Sequence, residues 1–417
     1  MKSSSKQNIS PGILFISILI LAFVVRLINI DMKILSPDEM LSLVEAQGRY
    51  SLLPEEVSSM TTEELESYNN LDKVIQSVVL GDGGNGIVYI STLHFWIKMA
   101  GNSRFAIRFL SLIFGLILVL LCYKLGVEIF QDHRIGLLTM LLCAIHVQAI
   151  DLSQETRAYA LAGMLTVAST IILVRVMKQQ KYSYGTLLLY AILLSLSLLS
   201  HYSTVYIFIA HFLIVIFLFR PDTTKLRRFI LFLIIPTAVL ICWMQFYGFD
   251  GLHLISERNA RYMEQSALDP DNSFYKKTGI YSLAAGWAQN LLYFSGNTLI
   301  ESGFRIIQLL PLLAFPLFVI ILSWRYKKRK HTVYYNLLFV LVFSSLFYAS
   351  ILSIISGHII AFQHTYSTFS FPYFILLFSV SLFSVLNANE LKLARRIKAF
   401  AIVHVGVVII SLCLFLI

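Results

Sequence analysis

The sequence predicts an all-α polytopic membrane protein, on three observations. Apolar residues make up 57% of the chain and charged ones only 13%, where a soluble protein keeps roughly a quarter of its residues charged. Mean hydropathy is +0.75. The apolar residues fall in long blocks, many reaching the ~20 residues that cross a hydrocarbon core as helix. They show neither the alternation nor the turn spacing of barrel strands, so helices are the spanning element.

About eleven transmembrane helices are placed along 1–417, read as a single membrane domain: 11–30, 104–130, 135–150, 158–176, 184–200, 202–219, 229–248, 304–323, 333–355, 367–386 and 398–416. The first has a basic start, but it is long for the apolar core of a cleaved leader and no A-x-A site follows, so an uncleaved helix is expected. With the N-terminus inside, the inner connections hold Lys2 and Lys6, Arg134, Arg175 and Lys178, Lys225, Arg227 and Arg228, Lys327, Lys328 and Arg329, and Arg395 and Arg396. The short outer connections around 151–157, 201 and 357–366 hold only Arg157. That asymmetry is the positive-inside rule. It accounts for a net charge of +10 without a nucleic-acid partner, and it fixes an orientation with two large segments outside.

Those segments, 31–103 and 249–303, exceed the length of a plausible structureless loop and should contain helices. In the first, Ser36-Pro37-Asp38-Glu39 opens MLSLVEAQ: Ser at the N-cap, Pro at the first helical position and Glu at the third form a helix-start signature. LPEEVSSMTTEELESY follows as an acidic helix, then the turn-rich GDGGNG, then IVYISTLHFWIKMAG, an aromatic run suited to the membrane surface.

Candidate chemistry gathers at the outer helix mouths. Asp38 or Glu39 can take a proton from an acceptor hydroxyl, although acids in a first turn also simply stabilise the helix dipole. Asp151-Leu-Ser-Gln154-Glu155-Thr-Arg157-Ala-Tyr159 crowds ionisable groups where they are expensive, which marks a substrate path more often than a helix cap. A lipid-linked phosphate needs cations at headgroup level. Arg104, Arg108, Arg157, His201 and Arg305 are placed for this, with Arg104 and Arg108 on one helical face; snorkelling to headgroups is the alternative for each. His201-Tyr202 and His364 with Tyr366 lie in tight outer turns. The cysteines (Cys122, Cys143, Cys242 and Cys413) sit in apolar blocks without CxxC spacing, as small buried hydrophobes. No HExxH or HxxxH spacing marks a zinc site, and GDGGNG does not open a nucleotide-binding Lys-Ser/Thr helix.

SPDEMLSL, LHFWIKMAGNSRFAIRFLSLIFGL, and SQETRAYAL with the later HYS resemble three segments of the glycosyltransferase family 39-like enzymes of the GT-C superfamily, relatives of protein O-mannosyltransferases and the lipid A aminoarabinose transferase. The resemblance covers about the first 200 residues. It implies a GT-C-like fold and an inverting transfer of a monosaccharide from a polyprenyl-phosphate donor to a glycolipid, glycan or protein acceptor at the outer membrane face. It also implies Asp38 as base with Glu39 shaping the site, Glu155, Arg157 and Tyr159 lining it, and a divalent metal ion as candidate cofactor. Two departures stand out: Asn85-Gly86-Ile87-Val88-Tyr89 replaces the family's His-Pro-Pro-Leu-Tyr, and Thr365-Tyr366 replaces its Arg-Tyr, leaving His364 as the nearest cation. A transporter or flippase would instead place ionisable groups near the midplane of matched halves. A ligase or polymerase of lipid-linked glycans would carry its large basic outer loop late in the chain, as 249–303 does with Arg258, Arg261, Lys276 and Lys277. A non-catalytic scaffold would tolerate loss of Asp38 and Glu155.

Overall fold

The computed structural model describes residues 10–50, 70–179, 183–219, 222–249, 278–296, 332–387 and 391–416, with isolated positions between 253 and 264 and between 314 and 324. Lys2 and Lys6, the acidic run at 51–69, Arg305 and most of 249–303 and of the 304–323 span lie outside the described residues.

Helices α1 (Pro11–Leu27), α2 (Pro37–Ala46), α3 (Leu71–Asp82), α4 (Ile87–Ala100) and α5 (Arg104–Phe130) come first. Then follow α6 (His133–Ile145), α7 (Tyr159–Lys178), α8 (Tyr184–Ser200), α9 (Val205–Phe219) and α10 (Thr223–Trp243). Last are α11 (Ile280–Phe294), α12 (Thr332–Ser356), α13 (Phe371–Leu386) and α14 (Leu391–Leu416). Their starts follow local chemistry: Ser10, Asn70, Ser103, Asp132, Ser183 and Asp222 each accept an amide hydrogen bond from the first turn. The box read at Ser36 and Glu39 is formed, with Pro37 at the first helical position.

Among the described residues, Arg104–Phe130, Tyr159–Lys178, Thr223–Tyr247, Thr332–Ser356 and His364–Leu386 are long and apolar enough to cross a membrane. Shorter apolar helices stand at most of the other expected spans. The expected span at 135–150 is broken: α6 stops at Ile145, His146 is extended, and a one-turn helix Val147–Asp151 follows.

The bundle is built on α7, which packs against α5 and α8, while α6 packs on α5 and α1. The α5–α6 hairpin closes tightly because both sides are glycine: a Cβ on Gly126 would lie 3.1 Å from the Gly136 Cα. The main core joins α5, α6, α7, α9, α12 and α13. A second apolar cluster seats α2, α3 and α4 on the first turns of α5 and α7, through Ala46, Val74, Val78, Ile90, Leu93, Ile107 and Leu161. This seat brings the acids of α2 over the mouth of the bundle. Arg26, fully buried in α1, locks the mouth from below: its guanidinium donates to Ser153 Oγ (3.1 Å), Ala22 O (3.1 Å), Ala144 O (2.9 Å) and Cys143 O (3.3 Å).

Candidate active site

The candidate site lies where α2 meets the turn between Val147–Asp151 and α7. Asp38 and Glu39, adjacent in the first turn of α2, have opposite surroundings. Glu39 is 3% exposed and accepts from Arg108 Nε and Nη2 (both 2.8 Å), from the Ser36 amide (3.0 Å) and from the Thr156 amide (3.0 Å). Burial alone would raise its carboxyl, and these hydrogen bonds outweigh it and hold the group below the usual carboxylate range. Arg108 spends its remaining donors on the carbonyls of Ile30, Lys33 and Ile34. Glu39 and Arg108 therefore form a buried clasp. Asp38 is exposed, and its charge acts on Glu155, Arg157, Tyr159 and Tyr366.

The clasp fixes the turn that follows. With Thr156 held by Glu39, and Gln154 Nε2 donating to the carbonyls of Arg26 (3.0 Å) and Ile28 (2.7 Å), the intervening Glu155 and then Arg157 are aimed by their neighbours' backbone contacts. Burial pushes the Glu155 carboxyl up to about 8, with Asp151 adding to the shift and Arg157 opposing it. An acid whose folded pKa lies above its ordinary 4.5 contributes stability that is complete below the ordinary value and is lost as pH rises through the raised one. The apparent melting temperature of the wild type should therefore fall between pH 5 and pH 8, and Glu155→Gln should flatten that stretch of the profile. An unchanged slope in the variant would refute the assignment.

Arg157 Nη2 pairs with Asp82 (3.1 Å) and Nη1 donates to Ser42 (3.2 Å), while Nε faces no hydrogen-bond partner. Burial opposes the Arg157 charge, but Tyr159, Asp82, Asp38 and Glu45 outweigh it and hold the guanidinium charged well above its ordinary range. Tyr159 stacks beside His201 (centroids 5.3 Å), which in turn meets Tyr366 (6.1 Å) and Phe369 (5.2 Å). Burial pushes the His201 imidazole down to about 3, with Arg157 adding to the effect, which favours its uncharged form.

The remaining candidates are dispersed. Tyr202 donates to Gly83 O (3.1 Å), receives Trp243 Nε1 (2.8 Å) and is fixed at its amide by Asn85 (2.9 Å), so it anchors the glycine-rich turn. Arg104, one helical turn above buried Arg108, is exposed; sharing a face does not give the two arginines one environment. His364 stacks on Tyr293 of α11 at 4.7 Å, so Tyr366 is the residue that this connection presents to His201.

Asp82, Ser42 and Trp243 adjoin these residues without having been chosen from the sequence, and Tyr366, named there beside His364, is the one that meets His201. Asp82 had a signal, a carboxylate inside GDGGNG. Its neighbour Gly84 takes φ +80°, and a Cβ there would lie 2.8 Å from Tyr202 Oη and 3.1 Å from Trp243 Nε1. Gly84→Ala should consequently displace both rings and cost about 1–3 kcal/mol, by backbone strain of that order; a melting temperature equal to wild type would contradict this. For the divalent metal, no group of three ligating side chains converges among the described residues, and no step is derived through an ion.

Residues 86–247 match the family model described as dolichyl-phosphate-mannose-protein mannosyltransferase, so the family resemblance is shown over that segment. No curated protein matches the chain. Among solved structures, ArnT from Cupriavidus metallidurans bound to undecaprenyl phosphate is similar with a TM-score of 0.56 at 13% identity, over 95% of this chain and 64% of that one. The oligosaccharyltransferase AglB from Archaeoglobus fulgidus, in complex with an inhibitory peptide and a dolichol-phosphate, gives a TM-score of 0.54 at 13% identity, over 96% of this chain and 55% of that one. The chain thus spans less than two thirds of either protein. These likenesses show the fold alone, an all-helical architecture shared with both proteins, in which five of the described helices are long and apolar enough to cross a membrane.

Proposed function

We propose that this chain, GT-C in fold and carrying the mannosyltransferase family's segment at 86–247, is an inverting glycosyltransferase that uses a polyprenyl-phosphate monosaccharide. The acceptor is a glycolipid, a glycan or a protein, and transfer takes place at the outer face of a bacterial inner membrane. The observation that carries the reading is the division of labour between adjacent acids. Glu39 is consumed by the clasp that fixes the turn at 152–158, and Asp38 is left exposed beside the buried Arg157 guanidinium.

In this mechanism Asp38 accepts the proton of the acceptor hydroxyl. The acceptor oxygen bonds to the anomeric carbon as the bond from that carbon to the phosphate oxygen breaks, and the lipid phosphate leaves with the bonding pair. Arg157 offsets the charge on that phosphate through its unpartnered Nε. Glu155, uncharged at neutral pH, can donate a hydrogen bond to the sugar or the leaving phosphate without repelling it. Tyr159, His201 and Tyr366 form an uncharged wall suited to a sugar face. The undecaprenyl phosphate and dolichol-phosphate bound by ArnT and AglB support a lipid phosphate as the donor's carrier.

The test uses the purified chain in lipid with a panel of radiolabelled polyprenyl-phosphate sugars, following release of free lipid phosphate. Acceptor-dependent release from at least one donor is expected. Movement of label across the bilayer without release would replace the transferase with a flippase.

A further inference from the structure

The tip between α4 and α5 carries a surface that the transfer reaction does not use. Phe95, Met99 and Phe105 are 53%, 83% and 45% exposed, and Lys98, Arg104 and the intervening turn are exposed with them. The opposite face of α4 is fully engaged: Ile90, Leu93 and Ile97 are buried, and His94 Nδ1 lies 2.7 Å from Ala46 O of α2. The tip is also rigid by construction. Trp96 Nε1 donates to Ala106 O across it at 2.7 Å, and Trp96 and Phe105 both stack on Phe109. Gly101, at φ +83°, makes the turn with nothing within 4 Å of where a Cβ would stand. Lys98 and Arg104 therefore project from a braced corner, flanked by apolar side chains. Among the described residues neither enters an ion pair, and no interaction that ties Asp38, Glu155 and Arg157 together reaches them.

We propose that this corner binds the headgroup of an anionic bilayer phospholipid, with Lys98 and Arg104 on its phosphate and Phe95, Met99 and Phe105 in the acyl boundary. The corner stands at the start of α5, the end of that span which the charge asymmetry of the connections assigns to the outer leaflet. Exposed apolar rings at headgroup level bury area in the acyl boundary, while neighbouring cations reach the anionic plane. Two cations that enter no ion pair among the described residues favour an anion over a zwitterion. The site is independent of the proposed reaction, since its ligand is a structural lipid of the bilayer and not the sugar donor. It also gives Arg104 a role apart from Arg108: α2, α3 and α4 rest on the bundle by one apolar seat, and a lipid held at this tip would pin that seat at a fixed depth.

The test is native mass spectrometry of the full-length protein in detergent, titrated separately with phosphatidylglycerol and phosphatidylcholine. A cation near an anionic leaflet is worth about fivefold in affinity. The Lys98→Gln/Arg104→Gln double variant should accordingly bind phosphatidylglycerol about 10–25-fold more weakly, with phosphatidylcholine unchanged. Lys98→Arg/Arg104→Lys should retain the preference. Should the double glutamine variant fail to fold, Lys98→Gln alone should lose about fivefold. Equal phosphatidylglycerol affinity in wild type and the glutamine variant overturns the proposal, as does a wild type with no preference between the lipids. Tight binding of an acidic peptide in place of lipid would make the corner a protein-docking site and would also overturn it.

Discussion

Asp38→Asn should lower turnover by about 10²–10⁴-fold, the usual contribution of a positioned general base, while the affinity for the lipid-linked donor persists. The asparagine preserves the shape of the first turn and leaves the Ser36–Glu39 capping box intact, because the box uses Glu39 and not Asp38. The change therefore removes a proton acceptor and little else. A structural role for Asp38 predicts the reverse pattern: near-normal turnover, and a melting temperature lowered by loss of one favourable charge at a helix start, about 0.3–1 kcal/mol. Single-turnover release of lipid phosphate, measured beside donor binding and thermal stability, separates the two. Turnover within a few-fold of wild type would remove Asp38 from the mechanism.

Arg108→Ala should be among the most destabilising substitutions in the chain, at about 3–5 kcal/mol, because it strands Glu39 as a buried charge. The guanidinium satisfies five acceptors on two segments: both oxygens of Glu39 in α2, and the carbonyls of Ile30, Lys33 and Ile34 in the link from α1. Its loss loosens the link from α1 into α2 as well as the pair itself. Glu39→Gln should be milder, since its single amide oxygen can still accept from Thr156 and Arg108 keeps its three carbonyl acceptors. The informative variant is Arg108→Met/Glu39→Leu, in which no charge is stranded. It should recover much of the stability lost by Arg108→Ala and still transfer sugar poorly, because the Thr156 amide then has no acceptor and the turn bearing Glu155 and Arg157 is no longer held. Stability and activity rising together in that double variant would show that the clasp does not position the turn.

How much of this was legible in the sequence depended on the range of the interaction. The start of α2 was read to the residue, because Ser36, Pro37 and Glu39 act on their own backbone within one turn. Five of the eleven expected spans are matched by described helices long enough to cross a membrane, because ~20 apolar residues have few alternatives, whereas the run at 135–150 breaks at His146. Local reasoning could not divide Asp38 from Glu39: the acceptor duties of Glu39 depend on Arg108, sixty-nine residues away, and on Thr156, one hundred and seventeen away. Helical spacing correctly put Arg104 and Arg108 on one face, but depth along the helix, set by the seat of α2 to α4, decided which was buried. Burial beside Arg157 favours an uncharged His201, an effect that its place in the sequence does not reveal. Arg26 carried a readable signal, a cation inside an apolar span, that was passed over in favour of the helix mouths.

The positions of the clasp along the chain also set a timetable for biogenesis. Arg26, Glu39, Asp82, Arg108, Arg157 and His201 all precede residue 202, and of the cavity wall around them Tyr366 comes much later. At the usual synthesis rate of about 5–20 residues per second, roughly 8–33 s of elongation separate residue 202 from Tyr366. In that interval the clasp and the Arg26 lock can form on the emerging first half, so Glu39 can already be paired when α12 and α13 enter the membrane. The second half then arrives at an assembled floor, to which it adds Tyr366, Phe369 and the remaining wall.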